Sequence, residues 1–203
     1  MYLICSDLEG VFVPEIWIGV SAKTGIDELK LTTRDISNYD ELMSMRLATL
    51  KKHGLKLDDI REVISTLDPL PGANEFLTWL RSKMPVIIVS DTFSEFAGPL
   101  IRKLGYPLLF CHNLTVDEKG NITGYNLRQK DSKRMAAESM MRLNYRVIGI
   151  GDSYNDLSML RAADKGLLFN PPANVAEENS DLPVFRTYDE LKKFIKSYSQ
   201  ISV

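Results

Sequence analysis

The chain has 203 residues, 44% of them hydrophobic, with 25 basic against 27 acidic side chains and a formal charge of -2. That length supports one full core, or a core with a small inserted module. The near-balanced charge, with no Lys/Arg stripe among aromatics, excludes a nucleic-acid footprint, and no apolar run approaches the roughly 18 residues of a membrane span.

The chain opens on the apolar run Leu3-Ile4-Cys5, closed by Ser6 and followed at once by Asp7, Leu8, Glu9 and Gly10. In open α/β sheets ligands sit at the carboxyl ends of strands, so this stretch predicts a strand delivering two carboxylates to a site. Two acids this close are costly unless a proton or cation lies between them, and a hard dication with oxygen ligands, such as Mg²⁺, fits that need. An ordinary turn after an edge strand would also favour Asp and Gly.

From Pro14 to Leu67 the strand-like runs stop, and helices are expected over 15–23, 39–52 and 56–67. Gly25 and Gly54 read as their C-terminal stops, and Asp58 as a cap of the third. The block has the size of a small helical cap inserted after the first strand. Pro69-Leu70-Pro71-Gly72 marks the return to a regular alternation of strands and helices. Helices are expected over 74–82, 95–104, 132–143, 155–163 and 188–198, and strands over 85–89, 108–111, 146–150 and 166–169. Glu118-Lys119-Gly120-Asn121 predicts a hairpin turn between 114–116 and 122–125. The alternation predicts an α/β fold, a doubly wound parallel sheet with helices on both faces. The expected division is an α/β core of residues 1–13 and 68–203 with a helical cap of 14–67.

Three further stations carry chemistry. The strand at Val86-Ile87-Ile88-Val89 runs into Ser90-Asp91-Thr92, where a hydroxyl and exposed amides suit a phosphate oxygen, or alternatively a helix N-cap. The strand at Val147-Ile148-Gly149-Ile150 runs into Gly151-Asp152-Ser153-Tyr154-Asn155-Asp156. There Asp152 is placed to meet Asp7, while Asp156 fits either a supporting role or the acid-favouring first turn of a helix. Between them lies a basic run containing Lys130 and Lys133; Lys133, just inside the expected helix, is the preferred partner for a phosphate. Met43, Met45, Met135, Met140 and Met141 read as packing residues. His53 and His112 lie in no motif and read as structural or surface residues, Trp79 as packing, and Trp17 as a core residue with the lining of the cap pocket as its alternative.

In order, Asp7-x-Glu9-Gly10-Val11, Ser90-Asp91-Thr92, Lys133 and Gly151-Asp152-x-x-Asn155-Asp156 resemble the haloacid dehalogenase-like phosphohydrolases over nearly the whole chain. The block 14–67 resembles the small cap of the phosphoserine phosphatase branch. Glu9 with Val13-Pro14-Glu15-Ile16-Trp17 resembles a subgroup that hydrolyses phosphoserine and also transfers its phosphoryl group to homoserine. The resemblance implies a nucleophilic Asp7 that forms an aspartyl phosphate, with Glu9 as general acid/base. It further implies phosphate held by Ser90, the Asp91 amide, Lys133 and Asn155. Mg²⁺ would be bound by Asp7, the Glu9 backbone carbonyl and Asp152. Glu15 would meet a substrate ammonium and Arg46 a substrate carboxylate. The implied substrate is L-phosphoserine, with L-homoserine as a second acceptor.

Most relatives place Asp at the position of Glu9; the extra methylene moves the carboxyl by about 1.5 Å, enough to change which acceptor it serves. The alternatives are a phosphatase of another small phosphate ester and a receiver-like phosphoacceptor. A receiver has no use for the block 14–67. Cys5 and Cys111 each lie in or beside an apolar run and read as free thiols, which suits a reducing compartment. With no basic and apolar leader at its start, the chain is expected to be cytoplasmic, without a nucleic-acid or membrane partner, as a monomer or homodimer.

Overall fold

The computed structural model describes residues 1–32, 35–36 and 38–200. Among the described residues the sheet has seven strands. Strand β1 (Tyr2–Ser6) is its centre, flanked by β2 (Val86–Phe93) and β5 (Arg146–Gly151). Beyond β2 lie β3 (Leu109–Val116) and β4 (Ile122–Asn126), and beyond β5 lie β6 (Lys165–Phe169) and β7 (Val184–Phe185). Every pairing is parallel except β3 with β4, the predicted hairpin.

Side chains alternate across this sheet, so its inner strands feed two cores. Ile4, Ile88, Ile148 and Leu167 point into one, and Leu3, Cys5, Ile87, Val89, Val147 and Leu168 into the other. The first core is closed by α1 (Ile16–Thr24), α3 (Leu57–Ser65), α4 (Ala73–Lys83), α5 (Ser94–Lys103) and α9 (Tyr188–Ser199). The second is closed by α6 (Ser132–Arg142), α7 (Leu157–Ala162) and α8 (Ala173–Glu178). Burial on both faces explains why β1, β2, β5 and β6 carry near-continuous apolar runs rather than alternating ones. Small residues set the closeness on the second face: a Cβ on Gly166 would lie 2.3 Å from the Leu160 carbonyl oxygen.

Helix α2 (Tyr39–His53) completes the set. Gly25 and Gly54 end α1 and α2 with φ of 72° and 66°, the left-handed geometry that glycine adopts without cost. Several expectations need correction. Asp58 does not cap α3; Lys56 stands at that position, and the Asp59 carboxylate accepts its N–H at 2.7 Å. Strand β2 continues through Ser90, Asp91 and Thr92, because an irregularity in its register with β3 between Val89 and Phe93 lets the backbone carry on past the apolar run. The helix expected over 155–163 is a 3₁₀ turn, Tyr154–Asp156, followed by α7. The 3₁₀ turn Asp27–Lys30, the six-residue α8 and the two-residue β7 carry no pattern long enough to predict.

Cys5 and Cys111 are free thiols. No helix among the described residues is long and apolar enough to cross a membrane.

Candidate active site

The register of the sheet puts three strand ends side by side: Ser6 pairs with Ile88 on β2 and with Ile150 on β5. Asp7 follows at once, its N–H donating to the Ile150 carbonyl at 2.9 Å, so it lies between Ser90-Asp91 and Gly151-Asp152. The chain then turns at Gly10 (φ 76°), with the Gly10 N–H on the Val13 carbonyl at 2.8 Å. The turn aims Glu9 at the start of α1, where its Oε2 accepts the Ile16 N–H at 2.8 Å.

At the second station the Ser90 hydroxyl oxygen accepts the Thr92 N–H at 3.2 Å, leaving its own proton to donate. At the third, Lys133 is 2% exposed on the first turn of α6. Its Nζ lies 2.9 Å from Asp7 Oδ1, 2.7 Å from Asp156 Oδ1 and 3.7 Å from Asp91 Oδ2. Burial alone would lower its affinity for a proton; the Asp156, Asp7 and Asp91 carboxylates raise it well above the usual lysine value. Lys130, by contrast, is exposed.

At the fourth station Asp156 Oδ2 accepts the N–H groups of Asp152 (2.9 Å) and Ser153 (3.1 Å), while its other oxygen takes Lys133. Both oxygens of Asp156 are thus committed to shaping the turn. Asp7, Asp152 and Asp156 are buried, with carboxylate oxygens within 4.8 Å of one another. Burial and Asp156 drive the Asp7 carboxyl well up, against the pull of Lys133. Burial, Asp156 and Glu15 push Asp152 up to about 7.

Three buried carboxylates against one ammonium form a set that fits a hard divalent cation. The backbone closes tightly on this set: a Cβ on Gly10 would lie 2.3 Å from Asp152 Oδ2. The Glu9 carboxylate, tied to Ile16, stands apart from this cluster. Burial of that carboxyl, with Glu15 beside it, pushes Glu9 up to about 8.

One pocket above the strand ends brings together Asp7, Glu9, Glu15, Arg46, Ser90, Asp91, Lys133 and Asn155, with Asp152 and Asp156 joined to it through Asp7. Arg46 is buried over the Trp17 ring, its Cζ 4.6 Å from the centroid, and one of its nitrogens donates to the Leu31 carbonyl at 2.9 Å. Its Nε is buried without a hydrogen-bond partner, a donor in want of an acceptor.

Trp17, read first as a core residue and alternatively as a lining of the cap pocket, does both; Tyr39, Leu42 and Tyr154 also line the pocket. Tyr39, Leu42 and Arg46 stand at i, i+3 and i+7 on α2, so helical spacing from Arg46 marked this face. The two histidines part company: His53 is exposed, and His112 is buried with Nε2 3.5 Å from Asp91 Oδ1. Nothing in its sequence surroundings marked it.

A family model described as haloacid dehalogenase-like hydrolase matches residues 20–164. The chain belongs to the haloacid dehalogenase-like hydrolases. It is similar to the phosphoserine phosphatase ThrH of Pseudomonas aeruginosa, with 55% identity over 98% of this chain and 98% of that one. A phosphoserine phosphatase of Pseudomonas syringae pv. tomato is 56% identical over 96% of this chain and 83% of its own. Among solved structures, an apo phosphoserine phosphatase superposes with a TM-score of 0.77 at 22% identity, covering 95% of this chain and 98% of that one. The fold of the haloacid dehalogenase-like hydrolases is thereby matched along almost the whole chain.

Proposed function

We propose that this protein catalyses metal-dependent phosphoryl transfer from L-phosphoserine through an aspartyl phosphate on Asp7, with water or L-homoserine as acceptor. The observation that carries the reading is the buried Asp7–Lys133 pair, 2.9 Å apart, on the floor of a pocket whose walls hold Glu9, Glu15 and Arg46. Two relatives more than half identical, both named phosphoserine phosphatase, support the substrate.

An amino-acid phosphate brings three charges, and the pocket offers each a counterpart. Arg46 presents a guanidinium to the carboxylate and Glu15 a carboxylate to the ammonium. Lys133, the Ser90 hydroxyl and the Asp91 amide receive the phosphoryl oxygens, with Asn155 beside them. Mg²⁺ would be held by Asp7, Asp152 and the Glu9 backbone carbonyl, and when bound it supplies positive charge against the phosphoryl oxygens.

Asp7 attacks phosphorus as the serine oxygen departs with a proton from Glu9, whose raised affinity for a proton suits an acid near neutral pH. Glu9, now ionised, takes a proton from the incoming hydroxyl, which attacks the aspartyl phosphate and frees Asp7. Splitting one displacement in two makes each a short, positioned step.

Residues 14–67 act as the cap over this chemistry. They rest on the core through the Tyr125 hydroxyl on the Asp40 carboxylate, the Leu57 N–H on the Gly120 carbonyl at 3.0 Å, and Lys103 on the carbonyls of Ser65 and Leu67. Such a lid decides which acceptor reaches the intermediate.

The test is one incubation of the protein with L-phosphoserine and Mg²⁺, with and without L-homoserine, followed by ³¹P NMR with a chelator control. Phosphate release partly diverted to phosphohomoserine supports both acceptors. Phosphate alone removes homoserine, and no metal-dependent reaction removes phosphoserine.

A further inference from the structure

His112, on β3, has no part in the chemistry above, yet it is 3% exposed and lies directly behind the phosphate station. Its Nδ1 accepts the Arg128 N–H at 3.1 Å, which places the ring proton on Nε2. That Nε2 faces Asp91 Oδ1 at 3.5 Å, an oxygen shared with the Ser132 hydroxyl, also at 3.5 Å. The other oxygen, Asp91 Oδ2, accepts Asn155 Nδ2 at 2.9 Å and lies 3.7 Å from Lys133 Nζ. Asn155 Oδ1 accepts the Ser153 hydroxyl at 2.6 Å, so both ends of that amide are fixed.

An acid facing a phosphate site is unfavourable on charge alone, so Asp91 calls for a reason. Burial would neutralise it, but Lys133, the facing His112 ring and the hydrogen bond from Asn155 hold its carboxyl well below the usual range. Asp91 is thus a fixed acceptor for the Asn155 amide and a counter-charge to Lys133, two side chains proposed to meet the phosphoryl group.

We propose that His112 is a positioning residue for phosphoryl transfer: its Nε2–H orients the Asp91 carboxylate, which in turn aims Asn155 and Lys133. The chain of contacts runs from β3, through the end of β2, to the turn after β5, and so ties three strand ends into one geometry. The inference rests on the proposed function for the identity of the ligand as a phosphate ester.

Two substitutions separate positioning from mere packing. His112→Gln places an amide N–H near the lost Nε2 and keeps a donor for Asp91. His112→Asn places its amide near Nδ1, keeps the Arg128 contact, and offers Asp91 no donor. The expected result is a loss of about tenfold in kcat/KM for phosphoserine in His112→Asn, the scale of one hydrogen bond to a charged group. His112→Gln is expected to stay within about threefold of wild type, and the Asn155 side-chain amide resonance to move in the first variant only. Equal losses in both variants, or none in either, overturn the proposal.

Binding of inorganic phosphate, measured by calorimetry, is read in parallel. If the wild type binds phosphate but leaves phosphoserine untouched, the proposed function fails, and weaker phosphate binding by His112→Asn than by His112→Gln still upholds the positioning role. Should either variant not fold, the imidazole ¹⁵N spectrum of the wild type decides: a proton on Nε2 upholds the network, and a proton on Nδ1 overturns it.

Discussion

Glu9 and Ile16 are joined by a 2.8 Å hydrogen bond from the Ile16 amide to Glu9 Oε2, so the proposed proton carrier also holds the first turn of α1. The proposed acid/base group and the proposed cap share an anchor. A helix N-terminus favours the ionised form of a nearby carboxylate, and so opposes the burial and the Glu15 carboxylate that raise its proton affinity. Substitutions at this position therefore act on both chemistry and cap.

Glu9→Gln separates the two effects. The amide oxygen can still accept the Ile16 N–H, so the cap is expected to keep its seat and thermal stability to stay near wild type. Proton transfer is lost, which costs about 10²- to 10⁴-fold in kcat. Steady-state kinetics with L-phosphoserine, beside a thermal melt, checks both halves; an unchanged kcat would remove Glu9 from the proton's path.

Glu9→Asp shortens the side chain by one methylene, about 1.5 Å, and cannot serve both Ile16 and the reacting oxygen from the same position. The expected outcome is a changed ratio of phosphohomoserine to phosphate when both acceptors compete, read by ³¹P NMR. An unchanged ratio would place acceptor choice elsewhere in the cap.

Asp7→Asn keeps the shape of the proposed nucleophile but removes its charge. Lys133 retains Asp156 at 2.7 Å and Asp91 at 3.7 Å, so the fold is expected to survive. Turnover and the acid-labile phosphoenzyme, followed by mass spectrometry after rapid quenching, are both expected to vanish. Residual turnover at the wild-type rate would take the covalent step away from Asp7.

Three of the four stations were legible because each is a short run fixed to a strand end, where the register of a parallel sheet does the rest; Lys133 was legible as a lysine opening an expected helix. Asp7, Ser90 and Asp152 need no long-range information beyond strand order to converge. What escaped depends on packing between elements far apart in the chain. The choice between core and pocket for Trp17, left open by the sequence, turns on α1 and α2, which pack so that Arg46 lies over its ring. His112 matters only because β3 stands next to β2, at the irregularity that carries the strand through Asp91. Composition around either residue is silent on both points. The extension of β2 through Ser90-Asp91-Thr92 was hidden by polarity, since residues that look like a turn are pleated backbone beside a buried site.

Arg46→Ala removes the guanidinium over Trp17 and with it the proposed counterpart of a substrate carboxylate. A lost charge-assisted pair is expected to lower kcat/KM for phosphoserine by about 10- to 100-fold. The same variant acting on phosphoethanolamine, which has the ammonium and phosphate but no carboxylate, is expected to change far less. Equal losses on the two esters would show that Arg46 supports the pocket through Trp17 and Leu31 rather than by touching substrate.

Gly10→Ala tests the cation site from the backbone side. Gly10 has a φ of 76°, and an added Cβ would meet Asp152 Oδ2 at 2.3 Å and its carboxyl carbon at 2.4 Å. The left-handed backbone itself costs an alanine about 1 kcal/mol, a modest loss of stability that a melt can register. The larger effect is local: either the turn moves away or the Asp152 carboxylate swings aside, and each separates Asp152 from Asp7. Because these two carboxylates are proposed to hold Mg²⁺ together, the variant is expected to need a higher Mg²⁺ concentration for half-maximal activity while reaching much of the wild-type rate at saturation. A metal titration of the variant against wild type reads this directly. Loss of stability with an unchanged Mg²⁺ dependence would mean that the close approach of Gly10 to Asp152 serves only the fold.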